Sequence, residues 1–187
     1  KEKIRKRSDQ AYREFLPTVL YGRPWGTSAC LWSRQAADKI GPWFEGWAWE
    51  DYEYDCRAGC KDIKIVFLPD VLCYYRRDLG GKQLSQSNRK TNVIERSKSL
   101  LEIHKNIRKV EKFRTNGILK RLNKNLYYQA MHLFYLDEKT TAVKLLLEIK
   151  NDSFIYESIL SLILISISFF MTSKMMGHIL YKLRKYF

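Results

Sequence analysis

The chain has 187 residues, with 34 Lys and Arg against 20 Asp and Glu, which gives a formal net charge of +14. Hydrophobic residues at 45% and aromatic residues at 14% exclude a wholly disordered chain, and four cysteines exclude a disulfide-rich scaffold. The positive balance favours an anionic partner, which composition alone leaves open between nucleic acid, anionic lipid and a phosphorylated small molecule.

The first predicted elements lie between residues 25 and 41. The run 25–33 follows the turn signal Gly22-Arg23-Pro24 and predicts a short strand. Ser33 is then a candidate N-cap for a helix that Gly41 and Pro42 end.

A second helix is predicted from Glu50 to about Gly59, because acidic residues in its first turn suit the positive end of the helix dipole. Glu53 and Arg57 are four residues apart and should pair. The runs 63–68 and 71–76 are rich in β-branched and aromatic residues and predict two strands.

From Val93 to the end the apolar spacing is helical, and 127–136 with 140–149 predict an antiparallel helix pair. The run 158–171 has no charged residue but is shorter than the roughly 20 residues that cross a bilayer. A basic amphipathic tail follows it. The sequence leaves open a buried helical hairpin, an interfacial anchor on an anionic membrane and a spanning helix.

Charge divides the chain into two parts. Residues 45–70 hold seven acidic and three basic residues, whereas residues 89–124 hold twelve basic and three acidic residues. Since a uniform nucleic-acid binder would not place an acidic cluster in its most aromatic region, two parts with different roles are the simpler interpretation.

The acidic part contains three tryptophans, Trp43, Trp47 and Trp49, directly before Glu50 and Asp51. Aromatic faces stack on sugar rings, and a neighbouring carboxylate can accept a proton from a sugar hydroxyl. The alternative is that the acidic residues only begin a helix and the tryptophans fill a core.

An ordered set of short motifs over about residues 16–90 resembles the second half of the catalytic domain of family-two glycosyltransferases. The motifs are Gly26-Thr27-Ser28-Ala29, Arg34, Ile40-Gly41-Pro42-Trp43-Phe44, Trp49-Glu50-Asp51-Tyr52-Glu53-Tyr54, Arg57-Ala58, Phe67-Leu68-Pro69 and Tyr74-Tyr75-Arg76-Arg77. The resemblance implies an α/β fold: residues 1–90 as the C-terminal part of a Rossmann-like GT-A domain, and residues 91–187 as a helical appendage, membrane-associated through its basic tail.

By the same resemblance Asp51 is the general base of an inverting transfer from a nucleotide sugar to an acceptor hydroxyl. Glu50, Trp49 and Trp47 would shape the acceptor side. Residues expected near the donor are Gly26, Thr27, Ser28, Arg76 and Arg77. Asp78 stands where relatives often have a metal-binding His, so it is a candidate ligand for Mg²⁺ or Mn²⁺.

Relatives hold that metal mainly with a DxD motif in an N-terminal nucleotide-binding half, which does not precede residue 16 here. The resemblance therefore predicts a fragment that is inactive alone, takes a nucleotide-sugar donor and a glycan or lipid-linked acceptor, and serves cell-surface polysaccharide synthesis. It would work in the cytoplasm, peripherally on the inner face of the membrane. The alternative is a non-catalytic basic helical adaptor that binds anionic membrane or nucleic acid.

Overall fold

The structure, a computed structural model, describes residues 13–46, 48–68, 89–152, 163–167 and 170–183. The α-helices of these ranges are α1 (Thr18–Tyr21), α2 (Arg34–Ile40), α3 (Glu50–Cys60), α4 (Arg89–Arg108), α5 (Asn116–Tyr135), α6 (Lys139–Asp152) and α7 (Ser173–Leu183). Single turns of 3₁₀ helix lie at Thr27–Ala29 and Glu111–Phe113, and residues 163–167 are also helical.

The predicted α/β fold, the C-terminal half of a GT-A domain, is wrong. About 70% of the described residues are helical, and they contain no strand or sheet. Their β-type pairing is an isolated antiparallel bridge between Glu14 and Lys64. The run 25–33 forms the 3₁₀ turn Thr27–Ala29 instead of a strand, and the predicted strand 71–76 lies outside the described residues.

The run 63–68 shows why β-propensity was misleading. A strand is stable only when a neighbouring strand pairs with it. Beside the bridge at Lys64, the amide of Ile65 donates to the Arg13 carbonyl at 3.0 Å. Val66 and Phe67, which follow, are exposed instead of facing a core.

Local capping signals predicted α2 and α3 well. The Ser33 hydroxyl accepts from the amide of Ala36 at 3.1 Å, and Gly41 ends α2 with a φ of 90° that a glycine adopts without strain. Helix α3 begins at Glu50 as predicted, and Glu53 pairs with Arg57 through two hydrogen bonds of 2.9 and 2.8 Å.

The core lies mainly among α4, α5 and α6. The predicted antiparallel pair is confirmed as α5 and α6, which are joined through Leu136–Glu138 and bury Tyr127, Phe134, Leu145 and Leu146. Helix α7 packs on α5 and buries Met176. Among the described residues, no helix has the length and apolar character needed to cross a membrane.

Helix α4 joins this bundle to the acidic part of the chain. It packs against α3, and the residues buried in both regions belong to one hydrophobic core. On its other side, Gln129 of α5 donates to the Val93 carbonyl at 2.5 Å, and the Ser97 hydroxyl donates to the same carbonyl at 2.8 Å. The predicted boundary at residue 90 therefore falls at the start of a helix that contacts both parts.

Candidate functional site

Two carboxylates of α3, Asp51 and Asp55, are joined by one guanidinium. They lie four residues apart on one face of the helix, and Arg23 reaches both from the turn after α1. Arg23 Nη1 donates to Asp51 Oδ2 at 2.6 Å, and Arg23 Nε donates to Asp55 Oδ2 at 2.5 Å. Trp25 Nε1 also donates to Asp55 Oδ2, at 2.8 Å. Such charge-assisted contacts fix the position of all three charged groups.

The 3₁₀ turn Thr27–Ala29 brings a hydroxyl to the same cluster. Thr27 Oγ1 donates to Asp51 Oδ2, and Arg23 Nη1 donates to Thr27 Oγ1 at 3.1 Å. The other oxygen of Asp51, Oδ1, accepts from the backbone amide of Tyr52 at 2.7 Å. Asp51 is thus held by one backbone amide, one cation and one hydroxyl.

The two carboxylates differ in their access to water. The side chain of Asp51 is 22% exposed, whereas that of Asp55 is 1% exposed. Oδ1 of Asp55 is buried and has no hydrogen-bond partner among the described residues. Burial raises the pKa of Asp55 above its ordinary value, although the hydrogen bond and charge of Arg23 act in the opposite direction. Asp51 is the carboxylate that a ligand can reach.

The environment also acts on Arg23 and Cys30. Burial opposes the charge on Arg23, but the hydrogen bond and charge of Asp55, with the charge of Asp51, raise its pKa overall. Burial, and then the charge of Asp55, raises the pKa of Cys30 to about 11. Cys30 therefore stays a neutral thiol at pH 7 and is a poor nucleophile.

The loop before Asp51 is fixed from α4. Ser99 of α4 donates its hydroxyl to the Ala48 carbonyl at 2.8 Å, and the guanidinium of Arg96 lies 5.1 Å from the centre of the Trp49 ring. Trp49 has a φ of 65°, the left-handed region that a bulky side chain rarely adopts. This backbone conformation turns the chain directly into α3, where Glu50 and Asp51 follow.

A second aromatic side chain, Trp43, lies six residues before Trp49 and contacts α3. Trp43 stacks on Tyr54 with ring centres 4.3 Å apart, yet it remains 44% exposed. Arg57 fixes the turn before it by donating to the carbonyls of Ile40 at 3.2 Å and Pro42 at 2.7 Å. Trp43 is therefore an ordered aromatic side chain with an exposed surface. The sequence prediction included it among three tryptophans that could stack on a sugar, but gave the role of shaping the acceptor side to Trp47 and Trp49.

The structure brings some of the predicted site residues together and not others. Thr27 and Asp51 are in contact, Gly26 precedes the 3₁₀ turn as its N-cap, and Ser28 is exposed within that turn. Glu50 is half-buried in the first turn of α3, and Trp49 is its N-cap. The remaining predictions, Trp47, Arg76, Arg77 and Asp78, lie outside the described residues.

Two residues central to this cluster were not predicted as site residues. Arg23 was interpreted only as part of a turn signal, and Asp55, four residues after Asp51 on the same helix face, was given no role. Arg23 is 28 residues from Asp51, so no local spacing rule pairs them. The one available signal was Asp55 itself, an acidic residue on the inner face of a helix, which needs a cation or strong donors when buried.

The described residues at this site do not form a divalent metal site. No group of three His, Cys, Asp or Glu side chains suited to a metal ion occurs in the part of the chain that the structure describes. Asp51 and Asp55 instead share the positive charge of Arg23.

Comparison with known proteins returned no matching family model, curated protein or solved structure.

Proposed function

We propose that the Asp51 site belongs to an inverting glycosyltransferase and accepts the proton of an acceptor hydroxyl. The acceptor oxygen then bonds to the anomeric carbon of a nucleotide sugar, while the bond from that carbon to the nucleoside diphosphate breaks. The proton goes to Asp51, and the diphosphate leaves with the bonding electrons. Function resides in such a site and not in a fold class, so the helical architecture does not decide the reaction.

One observation carries this proposal, the contact between Thr27 and Asp51. Two motifs of the family resemblance, 24 residues apart, meet through an alcohol that donates to a carboxylate. That is the interaction a general base makes with the hydroxyl it deprotonates. Asp51 lies in the first turn of α3, at the positive end of the helix dipole.

Arg23 adds a cation beside the reacting oxygen. Its charge-assisted hydrogen bonds to Asp51 and Asp55 hold the base in position, while the diphosphate leaves from the opposite side of the anomeric carbon. Trp43 offers an exposed ring for stacking on a sugar. The roles proposed for residues outside the described ranges are unchanged: Arg76 and Arg77 at the donor, Trp47 at the acceptor, and Asp78 as a metal ligand. The main ligands of Mg²⁺ or Mn²⁺ would come from a DxD half outside this chain.

The first test is replacement of Asp51 by Asn in the protein made from the complete reading frame. Release of nucleoside diphosphate from a panel of nucleotide sugars with glycan and lipid-linked acceptors is measured. We expect turnover to fall by about 10²-fold or more, because Asn cannot take the proton. The chain of 187 residues alone should show no transfer.

Asp38→Asn is the matched control, because Asp38 is an exposed aspartate that pairs with Arg34 on the surface of α2. This variant should keep the full rate. Equal rates for Asp51→Asn and the unchanged protein, or no turnover of any nucleotide sugar, would contradict the proposal. Transfer by the isolated chain would show that no further half is needed.

The second candidate function is binding of the basic helices to a membrane. Such binding would place the enzyme at the inner face of the membrane, or it would be the sole role of a non-catalytic adaptor. The end of α4, the 3₁₀ turn Glu111–Phe113 and the start of α5 expose Lys105, Lys109, Lys112, Arg114 and Lys120. Lys105 pairs with Glu102 and Lys112 pairs with Asp62, so Lys109, Arg114 and Lys120 are the main candidates for contact with anionic lipid headgroups. Each Lys or Arg at such a surface adds about 1 kcal/mol of binding.

Cosedimentation with phosphatidylserine vesicles tests this role, with phosphatidylcholine vesicles as the control. Binding should require the anionic lipid and weaken as salt rises. The double variant Lys109→Glu and Arg114→Glu should bind less. A salt-sensitive shift with DNA, without binding to anionic vesicles, would favour the nucleic-acid alternative instead.

A further inference from the structure

We propose that the Thr27 hydroxyl occupies the position of the acceptor hydroxyl on Asp51, and that it thereby keeps water from this base until an acceptor displaces it. The inference rests on the proposed function. In this role Thr27 suppresses hydrolysis of the nucleotide sugar and still allows transfer to an acceptor. The family resemblance places this residue only near the donor.

The three groups that donate to Asp51 differ in kind. The Tyr52 amide belongs to the backbone of α3, and Arg23 is an ionised group that also holds Asp55. The third donor is the hydroxyl of Thr27. Among these three donors from the described residues, it alone is an alcohol, as the acceptor substrate is. A sugar hydroxyl or a water molecule would donate to Oδ2 in the same way.

The three donors also differ in how easily they leave. The side chain of Arg23 is 15% exposed and lies between two carboxylates, and the Tyr52 amide cannot move without α3. Thr27 is exposed and lies at the first position of a single 3₁₀ turn. The hydrogen bond that closes this turn, from the Cys30 amide to the Thr27 carbonyl, is 3.4 Å long. An incoming acceptor can therefore replace Thr27 while Arg23 and α3 stay in place.

Occupation of Oδ2 by Thr27 has a chemical consequence. If water took this position, it would transfer a proton to Asp51 while its oxygen bonded to the anomeric carbon. The bond to the diphosphate would break and release free sugar and nucleoside diphosphate. The Thr27 hydroxyl donates a hydrogen bond to Asp51 without transferring its proton, and it is not consumed. The nucleotide-sugar donor is therefore not hydrolysed when the acceptor is absent.

Thr27→Val tests the inference, since it keeps the shape of the side chain and removes the hydroxyl. In the protein from the complete reading frame, free sugar released without acceptor and product formed with acceptor are both measured. We expect hydrolysis to rise about tenfold, the effect of losing one hydrogen bond that competes with water. Transfer should persist with a lower acceptor KM, and Thr27→Ser should restore low hydrolysis.

Thr140→Val is the control, because Thr140 is an exposed threonine on α6, away from this cluster. It should leave both rates unchanged, and Thr27→Ala replaces the Val variant if that variant fails to fold. Unchanged hydrolysis in Thr27→Val, or loss of hydrolysis and transfer together, would overturn the inference while leaving the role of Asp51 intact. A full rate in Asp51→Asn, or no cleavage of any nucleotide sugar, would remove the proposed function and the inference with it.

Discussion

The Asp51 site and the α4–α6 bundle are stabilised by different forces. At the site, short contacts join Arg23 to two carboxylates, and several of the aromatic side chains nearby remain partly exposed. In the bundle, large apolar side chains such as Leu133 and Phe134 are fully buried. Apolar packing changes little with pH, whereas a buried carboxylate makes stability depend on protonation. The two regions should therefore respond to different perturbations.

The largest expected effect comes from the bundle. Phe134→Ala removes a fully buried ring from α5 and leaves a cavity, which should lower the free energy of unfolding by about 3–5 kcal/mol. Urea unfolding followed by circular dichroism measures it, with Tyr135→Ala, an exposed neighbour on the same helix, as control. The loss should be nearly the same from pH 5 to pH 8. If the loss of stability in Phe134→Ala depended strongly on pH, the stability of the bundle would not be independent of the carboxylates at the Asp51 site.

A smaller, pH-dependent effect is expected from Asp55. Its folded-state pKa lies above the ordinary value of 3.8, so the protonated form is favoured by folding. The stability that it contributes is present below about pH 4 and is lost as pH rises through the folded pKa. The unchanged protein should therefore lose stability relative to Asp55→Asn as pH increases from 4 to 7.

Urea titrations of both proteins across this range check the sign. The groups that interact with Asp55 include Arg23, Asp51, Trp25, Cys30 and Cys56, and each is present in both proteins. Comparing the two curves therefore removes the contributions of other carboxylates such as Glu14, whose pKa is lowered by Lys64. A difference that grows in the opposite direction would show that the attraction of Arg23 outweighs the cost of burial.

The accuracy of the sequence predictions depended on how local the deciding contacts are. The caps of α2, the start of α3 and the pairing of α5 with α6 follow from spacing within a few residues, and each was predicted. The strands failed because a β-rich run such as 63–68 needs a partner that local sequence does not supply. Arg23 was missed for a related reason, since its role depends on a contact with residues 28 and 32 positions away.

Family resemblance added something that local spacing could not. It predicted Thr27 near the donor and Asp51 as the base, and this assignment stays a prediction. The structure shows the two side chains in contact and does not have the fold that the resemblance implied. The left-handed backbone of Trp49 and the stacking of Trp43 on Tyr54 were not predicted. Both depend on how Pro42, Trp43 and Trp49 lie against Tyr54, Arg57 and α4.

The contacts of α4 with the loop before Asp51 bear on how shortened versions of this protein should be designed. Ser99 and Arg96 hold Ala48 and Trp49 across the boundary that charge and motif patterns place at residue 90. A truncation at residue 90 would keep every residue of the Asp51 site and remove Arg96 and Ser99, the two side chains that fix the loop before Asp51. Expression variants meant for ligand binding should therefore extend at least through Arg108, the last residue of α4.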